Sequence, residues 1–286
     1  MFDNRRLVPI GAVAVALVFG AGVVGVVDLA RDDPAPRAGA EPASVVQPPP
    51  SPGVLPNSGT LSTRAKPGPV ALAQSAVSVR YTFDRGVNST ITDDAGRHPL
   101  RPLGQNGGKL SLVPQGAGLA VEYPDRCTRP RQGECPLAIL EGYRDDTLNP
   151  GTRPMKFGAS IRMVPADLAD GANVVQKGYS VGRVSQFKLQ VDHKQGRPSC
   201  VIASRARIHR VEAMVDVADG AWHSLTCSRT RNGLVIIVDG AQRAAVPVPA
   251  GLSIANAEPL RIGGKGTNKG NDQYAGQIDN VFLTID

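Results

Sequence analysis

Four short pieces in the last third of the chain do most to limit its fold. Asp219-Gly220-Ala221-Trp222-His223 is followed by Val238-Asp239-Gly240, then Leu260-Arg261-Ile262-Gly263-Gly264, then Gly276-Gln277-Ile278-Asp279-Asn280. Each joins a glycine-bearing turn, where positive φ carries no Cβ penalty, to a brief run of strand-forming residues. Turns at this spacing leave no room for long helices and predict consecutive short antiparallel strands.

The chain from residue 77 onward repeats the pattern. Residues 77–83 alternate as Val77, Val79, Tyr81 and Phe83, a first strand. Residues 99–103 form a short extended piece, and 109–113 with 118–122 read as a hairpin. Residues 155–163 place Phe157, Ala159 and Ile161 on one face, and 173–177 end at Gly178. In 186–192, Phe187, Leu189 and Val191 point inward while Lys188 and Gln190 point outward. Strands are further expected over 198–204, 208–215, 222–229, 234–238, 259–262 and 277–284. About a dozen short strands with frequent turns and no βαβ alternation predict an all-β antiparallel two-sheet sandwich rather than a Rossmann or barrel fold.

The chain begins differently. Arg5-Arg6 precede an uncharged run over residues 7–27. As a helix at about 1.5 Å per residue, this run matches the ~30 Å of a bilayer core. The flanking arginines favour a cytoplasmic N-terminus. Residues 1–30 are therefore expected to form a signal-anchor or transmembrane segment, with a cleaved signal peptide and a secreted product as the alternative. Residues 31–74 are rich in Pro and Ala and cannot bury enough apolar surface to offset their ordering entropy. They read as a disordered linker, whose residues 31–69 reach up to ~120 Å if fully extended. Residues 75–286 then form one domain outside the cell membrane.

The four cysteines, Cys127, Cys135, Cys200 and Cys227, all lie in that domain. An even count in an oxidising compartment favours two disulfides, and four cysteines allow three pairings. Cys127 and Cys135 flank a stretch suited to a small closed loop. Alternation puts Cys200 on the face of Ile202 and Cys227 on that of Leu225, so a bridge between them would lie in the core. The spacings contain no CxxC pair and no suitably placed histidine, which argues against zinc.

In this order and spacing, the domain resembles the laminin G-like (LamG) branch of the concanavalin A-like lectin/glucanase superfamily. The residues carrying the resemblance are Tyr81-Thr82-Phe83-Asp84, Val174 to Gly178, Phe187-Lys188-Leu189, Gly220-Ala221-Trp222-His223, Leu234 to Gly240 and Gly276 to Val281. The resemblance implies a jelly roll with two sheets. No cofactor is expected beyond a structural calcium ion that the resemblance allows, for which Asp84 and Asp279 align, since hard oxygen ligands suit that ion; the alternative is that Asp84 caps a turn and Asp279 bonds local backbone. Trp222 and His223 themselves read as packing and turn support rather than ligand contacts, with Trp222 a buried apolar anchor.

Catalysis is not expected. The glucanase pattern of carboxylates on alternate strand positions is absent, and no Gly-x-Ser-x-Gly elbow occurs. The acidic cluster Glu141 to Asp146 reads as a loop. His98 and His193 read as solvated turn residues, and His209 lies in a basic stretch; a catalytic base needs a positioned partner. The domain is basic: residues 71–286 hold 26 Lys and Arg against 20 Asp and Glu. Arg129 and Arg131 near Cys127, and Arg205 and Arg207, form the candidate anion-binding loops, with Tyr179 and Tyr274 as candidate sugar-stacking side chains. No nucleic-acid motif occurs. The expected function is thus a membrane-tethered extracellular module that binds a carbohydrate, neutral or anionic, or a protein ligand. The alternatives are an exported polysaccharide hydrolase with an atypical carboxylate pair and a purely structural envelope protein. Nothing in the sequence specifies an oligomeric state.

Overall fold

A computed structural model describes residues 75–286 apart from 88–89, 129–131, 170, 183, 193–194, 205–206 and 269. The expected N-terminal span and linker lie outside the described residues, as do Arg129, Arg131, Arg205 and His193. No helix among the described residues is long and apolar enough to cross a membrane.

The expected all-β architecture is present: two antiparallel sheets face each other across one core. Along the chain the strands are β1 (Val77–Tyr81), β2 (Leu100–Gln105), β3 (Ser111–Gln115), β4 (Gly118–Tyr123), β5 (Leu137–Gly142), β6 (Met155–Arg162), β7 (Ala172–Gly178), β8 (Gln186–Asp192), β9 (Arg197–Ser204), β10 (Arg207–Glu212), β11 (Trp222–Arg229), β12 (Gly233–Val238), β13 (Ala241–Pro247), β14 (Leu260–Ile262) and β15 (Gly276–Ile285). The larger sheet runs β13-β12-β11-β6-β15-β4-β3, with β1 also paired to β15. The smaller runs β10-β9-β8-β7-β14-β5-β2. Two strands differ from expectation. β5 places Glu141 in a strand rather than a loop, and β13 follows the Asp239-Gly240 turn. Both lack the clean alternation that marks a half-buried strand: β5 is buried on nearly every residue, and β13 is an edge strand exposed along most of its length.

The core is built from the inward residues of both sheets. Phe157 and Ile161 of β6, with Leu225 and Cys227 of β11, meet Phe187, Leu189 and Val191 of β8 and Cys200 and Ile202 of β9. The rings of Phe157 and Phe187, one from each sheet, lie 4.9 Å apart. The cysteines pair as Cys127–Cys135 and Cys200–Cys227. The second bridge ties β9 of one sheet to β11 of the other through the core, as alternation predicted.

The motif Ile278-Asp279-Asn280 has a specific architectural role. The register of β15 against β6 shifts between Asp279 and Phe282, and Asn280 has φ of 49°. Before this bulge β15 pairs with β4; after it, the same edge pairs with β1. The Asp279 carboxylate accepts from the Asn280 backbone N–H at 2.6 Å and from its side-chain amide at 2.7 Å. A bulge lets one strand change partners without breaking the sheet.

His223 also serves the fold. Its Nδ1 lies 2.8 Å from Asp239 Oδ2 and its Nε2 3.1 Å from Asp219 Oδ1. The ring thereby clamps two Asp-Gly turns together. Asp239 and Gly240 both have positive φ, as a tight hairpin turn between β12 and β13 requires. Partial burial works against the charged ring, but the hydrogen bonds to Asp239 and Asp219 outweigh it and raise the His223 pKa above its ordinary value. The sign follows from linkage. Stability from a raised histidine is fully present below the unfolded pKa of about 6.5 and is lost as pH rises through the folded value. Urea melts at about pH 5.5 and 8.5 should show the native chain losing stability at the higher pH, with His223→Gln flattening that difference. An unchanged pH dependence in the variant would remove this role.

Candidate functional site

The two outer faces of the sandwich differ in chemistry. On the larger sheet, Leu225 and Cys227 point inward, so Trp222, Ser224, Thr226 and Ser228 point outward by parity. Trp222 is therefore not the core anchor expected; it sits half-buried on the outside, in register with Arg162. Phe282 of β15 lies outward as well, its ring over Gly158, where any Cβ would meet the ring and the Leu225 carbonyl. Val235 and Ile237 of β12 have the same parity, so an apolar strip of Trp222, Val235, Ile237 and Phe282 lies among Lys156, Ser160, Arg162 and other polar residues of this face.

The smaller sheet presents a polar outer face. The pairing registers align one residue from each strand into a row: Arg210 of β10, Val201 of β9, Lys188 of β8, Gln176 of β7, Arg261 of β14, Glu141 of β5 and Arg101 of β2. A second row beside it runs through Glu212, Ser199, Gln190 and Asn173. Ion pairs knit one half of the first row. Arg261 Nε donates to Glu141 Oε2 at 2.8 Å, and Arg101 donates to Glu141 Oε1 at 3.0 Å. Arg261 also reaches Glu258 at 3.2 Å. Burial disfavours the Arg261 charge, but the Glu141 hydrogen bond and its neighbours more than compensate and raise the pKa. At the far edge Arg210 pairs with Asp192 and Glu212.

The centre of the face is less satisfied. Asn173 Nδ2 donates to Gln176 Oε1 at 2.8 Å, and the Gln176 and Gln186 amides both donate to the Gly178 carbonyl. Yet the buried atoms Asn173 Oδ1, Gln186 Oε1 and Ser199 Oγ have no hydrogen-bond partner. Between them stands Lys188, partly buried, with no hydrogen bond or close ion pair. Desolvation lowers its pKa, offset in part by the Asp272 charge. Buried polar atoms without partners are uncommon and each costs about 1–3 kcal/mol.

Tyr179 roofs this region. Gly178, with φ of 82°, turns the chain at the end of β7. The Tyr179 ring then lies with the Arg261 guanidinium 5.4 Å from its centroid, and its hydroxyl donates to the Lys265 carbonyl at 3.1 Å. At the other end of the row Tyr143 is 52% exposed, with the Arg101 guanidinium 5.2 Å from its ring. The face thus has a ring at each end of its basic half.

Of the side chains singled out from sequence, Tyr179 belongs to this face. Tyr274 does not: it is fully buried, its hydroxyl bonds the Gln277 carbonyl at 3.1 Å, and its ring packs edge-on against Tyr123 at 5.5 Å. The segment read as a loop is drawn into the core because Tyr274 N–H donates to the Gly263 carbonyl. Arg207 lies on β10 with the opposite parity from Arg210, so it points away from the row. Asp84 Oδ1 accepts from the Leu119 N–H at 2.8 Å. Asp279 has its pKa raised by burial and then by the nearby Asp84 charge. The two carboxylates are thus neighbours, though no cluster of three or more metal-ligating side chains occurs among the described residues. His98 is not a solvated turn histidine; its Nδ1 meets Asp145 Oδ2 at 2.8 Å and its side chain is 12% exposed. Lys188, Gln176, Gln186, Arg261 and Asn173 were missed as site residues. Alternation marked Lys188 as outward, but its neighbours across the sheet follow from register, which one sequence does not reveal.

Comparison with known proteins agrees with this architecture. Residues 156–283 match the family model described as the Concanavalin A-like lectin/glucanases superfamily. No curated protein matches the chain. Among solved structures, domain 4 of AbnA, a GH43 extracellular arabinanase from Geobacillus stearothermophilus, in complex with arabinotriose, aligns with a TM-score of 0.54 at 12% identity over 72% of this chain and 91% of that one. The binding domain of Paraclostridial Mosquitocidal Protein 1 aligns at 0.51 and 10% identity over 72% of this chain and 48% of its own. The binding domain of Botulinum Neurotoxin DC in complex with SialylT aligns at 0.51 and 12% identity over 72% and 47%. This chain spans about half the length of these two toxin domains, and at such identities the likeness is one of fold.

Proposed function

Because residues 156–283 of this chain belong to the concanavalin A-like lectin/glucanase superfamily, we propose that the protein is an exported, non-catalytic module that binds a carbohydrate across the outer face of the smaller sheet. The observation that carries this reading is the set of buried, unpartnered acceptors around Lys188: Asn173 Oδ1, Gln186 Oε1 and Ser199 Oγ. Sugar hydroxyls would donate to these oxygens and accept from the Lys188 ammonium, replacing missing hydrogen bonds with real ones. Tyr143 and Tyr179 supply flat surfaces at the ends of the basic half-row, suited to the apolar faces of sugar rings. That a domain of this fold was solved with arabinotriose supports the reading by analogy. The apolar run over residues 7–27 would tether the module to a membrane, and the two disulfides fit an oxidising compartment.

The absence of catalysis is argued from the acids of this face. Glu141, Glu258, Asp272, Asp192 and Glu212 each have a cationic partner. A glycosidase needs two carboxyl groups free to flank the scissile bond, and each of these is already engaged in an ion pair. On an immobilised oligosaccharide panel, the full chain is expected to bind, and Tyr179→Ala is expected to weaken that binding about tenfold. Absence of binding across the panel, or turnover of any member, would defeat this reading.

A further inference from the structure

A cavity of about 260 Å3 opens beside β2 and β5, at the Tyr143 end of the basic row. Its chemistry centres on His98, whose polar atoms are almost all committed. The backbone N–H donates to Asp93 Oδ1 at 2.7 Å, and the carbonyl accepts from the Tyr81 hydroxyl at 2.8 Å. Nδ1 faces Asp145 Oδ2 at 2.8 Å. Asp145 is itself fixed, its Oδ1 accepting from the Thr147 N–H at 2.9 Å and the Thr147 hydroxyl at 2.5 Å. Burial alone would raise the Asp145 pKa, but the bonds from Thr147 and His98 outweigh it and hold the carboxyl below its usual range. An ionised carboxylate only accepts, so the ring proton sits on Nδ1. One polar atom of the ring, Nε2, remains without a protein partner.

Two guanidiniums share the cavity wall. Arg97 has no acidic partner among the described residues. Arg144 pairs with Asp146 at 3.1 Å, but both side chains are mostly exposed, and such pairs are worth little and exchange readily. Tyr143 completes the wall with an exposed ring. A half-buried imidazole oriented by the partly exposed Asp145 carboxylate, two arginines and an open aromatic ring place anion-binding groups and an apolar platform side by side.

We propose that this cavity binds the carboxylate of an acidic sugar residue, the sugar ring resting on Tyr143; the assignment rests on the reading of the adjoining sheet as a glycan-binding face. The planar carboxylate matches the guanidinium fork of Arg97 or Arg144. A hydroxyl of the same sugar donates to His98 Nε2, the ring proton being held on Nδ1 by Asp145. A neutral sugar offers no carboxylate to the guanidinium forks.

The test compares oligogalacturonate with its methyl-esterified counterpart, which keeps the sugar and removes the charge. In calorimetric titrations of the full chain, the acid form is expected to bind at least about tenfold more tightly, as one charge-assisted contact allows. Arg97→Gln and the double variant Arg97→Gln/Arg144→Gln should abolish that preference and leave the affinity for the ester unchanged. Because the Arg97 side chain has no partner among the described residues, the single variant carries the test even if the double variant unfolds. Equal affinity of the native chain for both forms overturns the acidic-sugar assignment while leaving the glycan-binding face standing. Equal loss for both forms in the variants also overturns it, since that is the mark of a merely structural role. Failure to bind either form overturns both readings.

Discussion

Replacing Cys200 and Cys227 together by alanine is expected to lower stability by about 3–4 kcal/mol, because the bridge closes a loop of 27 residues and chain entropy scales with the logarithm of that length. The same relation gives about 2.5 kcal/mol for the Cys127–Cys135 loop of 8 residues. The gap between the two should widen in practice. Cys200 and Cys227 are fully buried between the sheets, so truncation also removes core contacts. Thermal melts should show the core variant shifted down by about 7–14 °C for a domain of this size, and the loop variant by less. A larger shift for the surface loop would mean that the sheets are held by packing alone.

Lys188→Met separates function from fold more sharply. The side chain is desolvated on the outer face and has no hydrogen bond among the described residues, and the Asp272 charge offsets only part of the cost of burying its ammonium. Removing it should leave the melting temperature unchanged or raised. Glycan affinity, however, should fall by about 2 kcal/mol, roughly thirtyfold, because the ligand's acceptor loses a charged donor. Calorimetric titration and a melt on the same sample read both effects. A variant that binds normally but melts earlier would make Lys188 a scaffold residue. An unpaired cation retained at the centre of a buried polar bed fits the general pattern in which local rules of stability are broken at functional sites.

The sequence made the sandwich legible because its evidence is local. Alternation in residues 186–192 and turns at Asp219-Gly220 and Asp239-Gly240 depend on neighbours a few positions away, and the core bridge followed from the parity of Cys200 and Cys227. Trp222 shows where locality fails. Aromatic size predicted an inward anchor, but parity with Cys227 turns the side chain outward, and register overrides propensity. Tyr274 fails in the opposite direction: a polar, turn-like neighbourhood predicted exposure, but the hydroxyl, shared between the Arg162 and Gln277 carbonyls that accept from it, is drawn inside. The site was the least legible part. Arg210, Lys188, Gln176, Arg261, Glu141 and Arg101 come from six strands and become one row only when all the registers are known. His98 and Asp145, 47 positions apart, likewise meet only in the fold.

Chemical-shift mapping of the isotope-labelled full chain during titration with a bound oligosaccharide tests the central claim most directly. The account predicts that the largest changes fall on the side-chain amides of Asn173, Gln176, Gln186 and Gln190, with the backbone of β8 and β14 following. Changes concentrated instead around Trp222 and Phe282 on the larger sheet would contradict it.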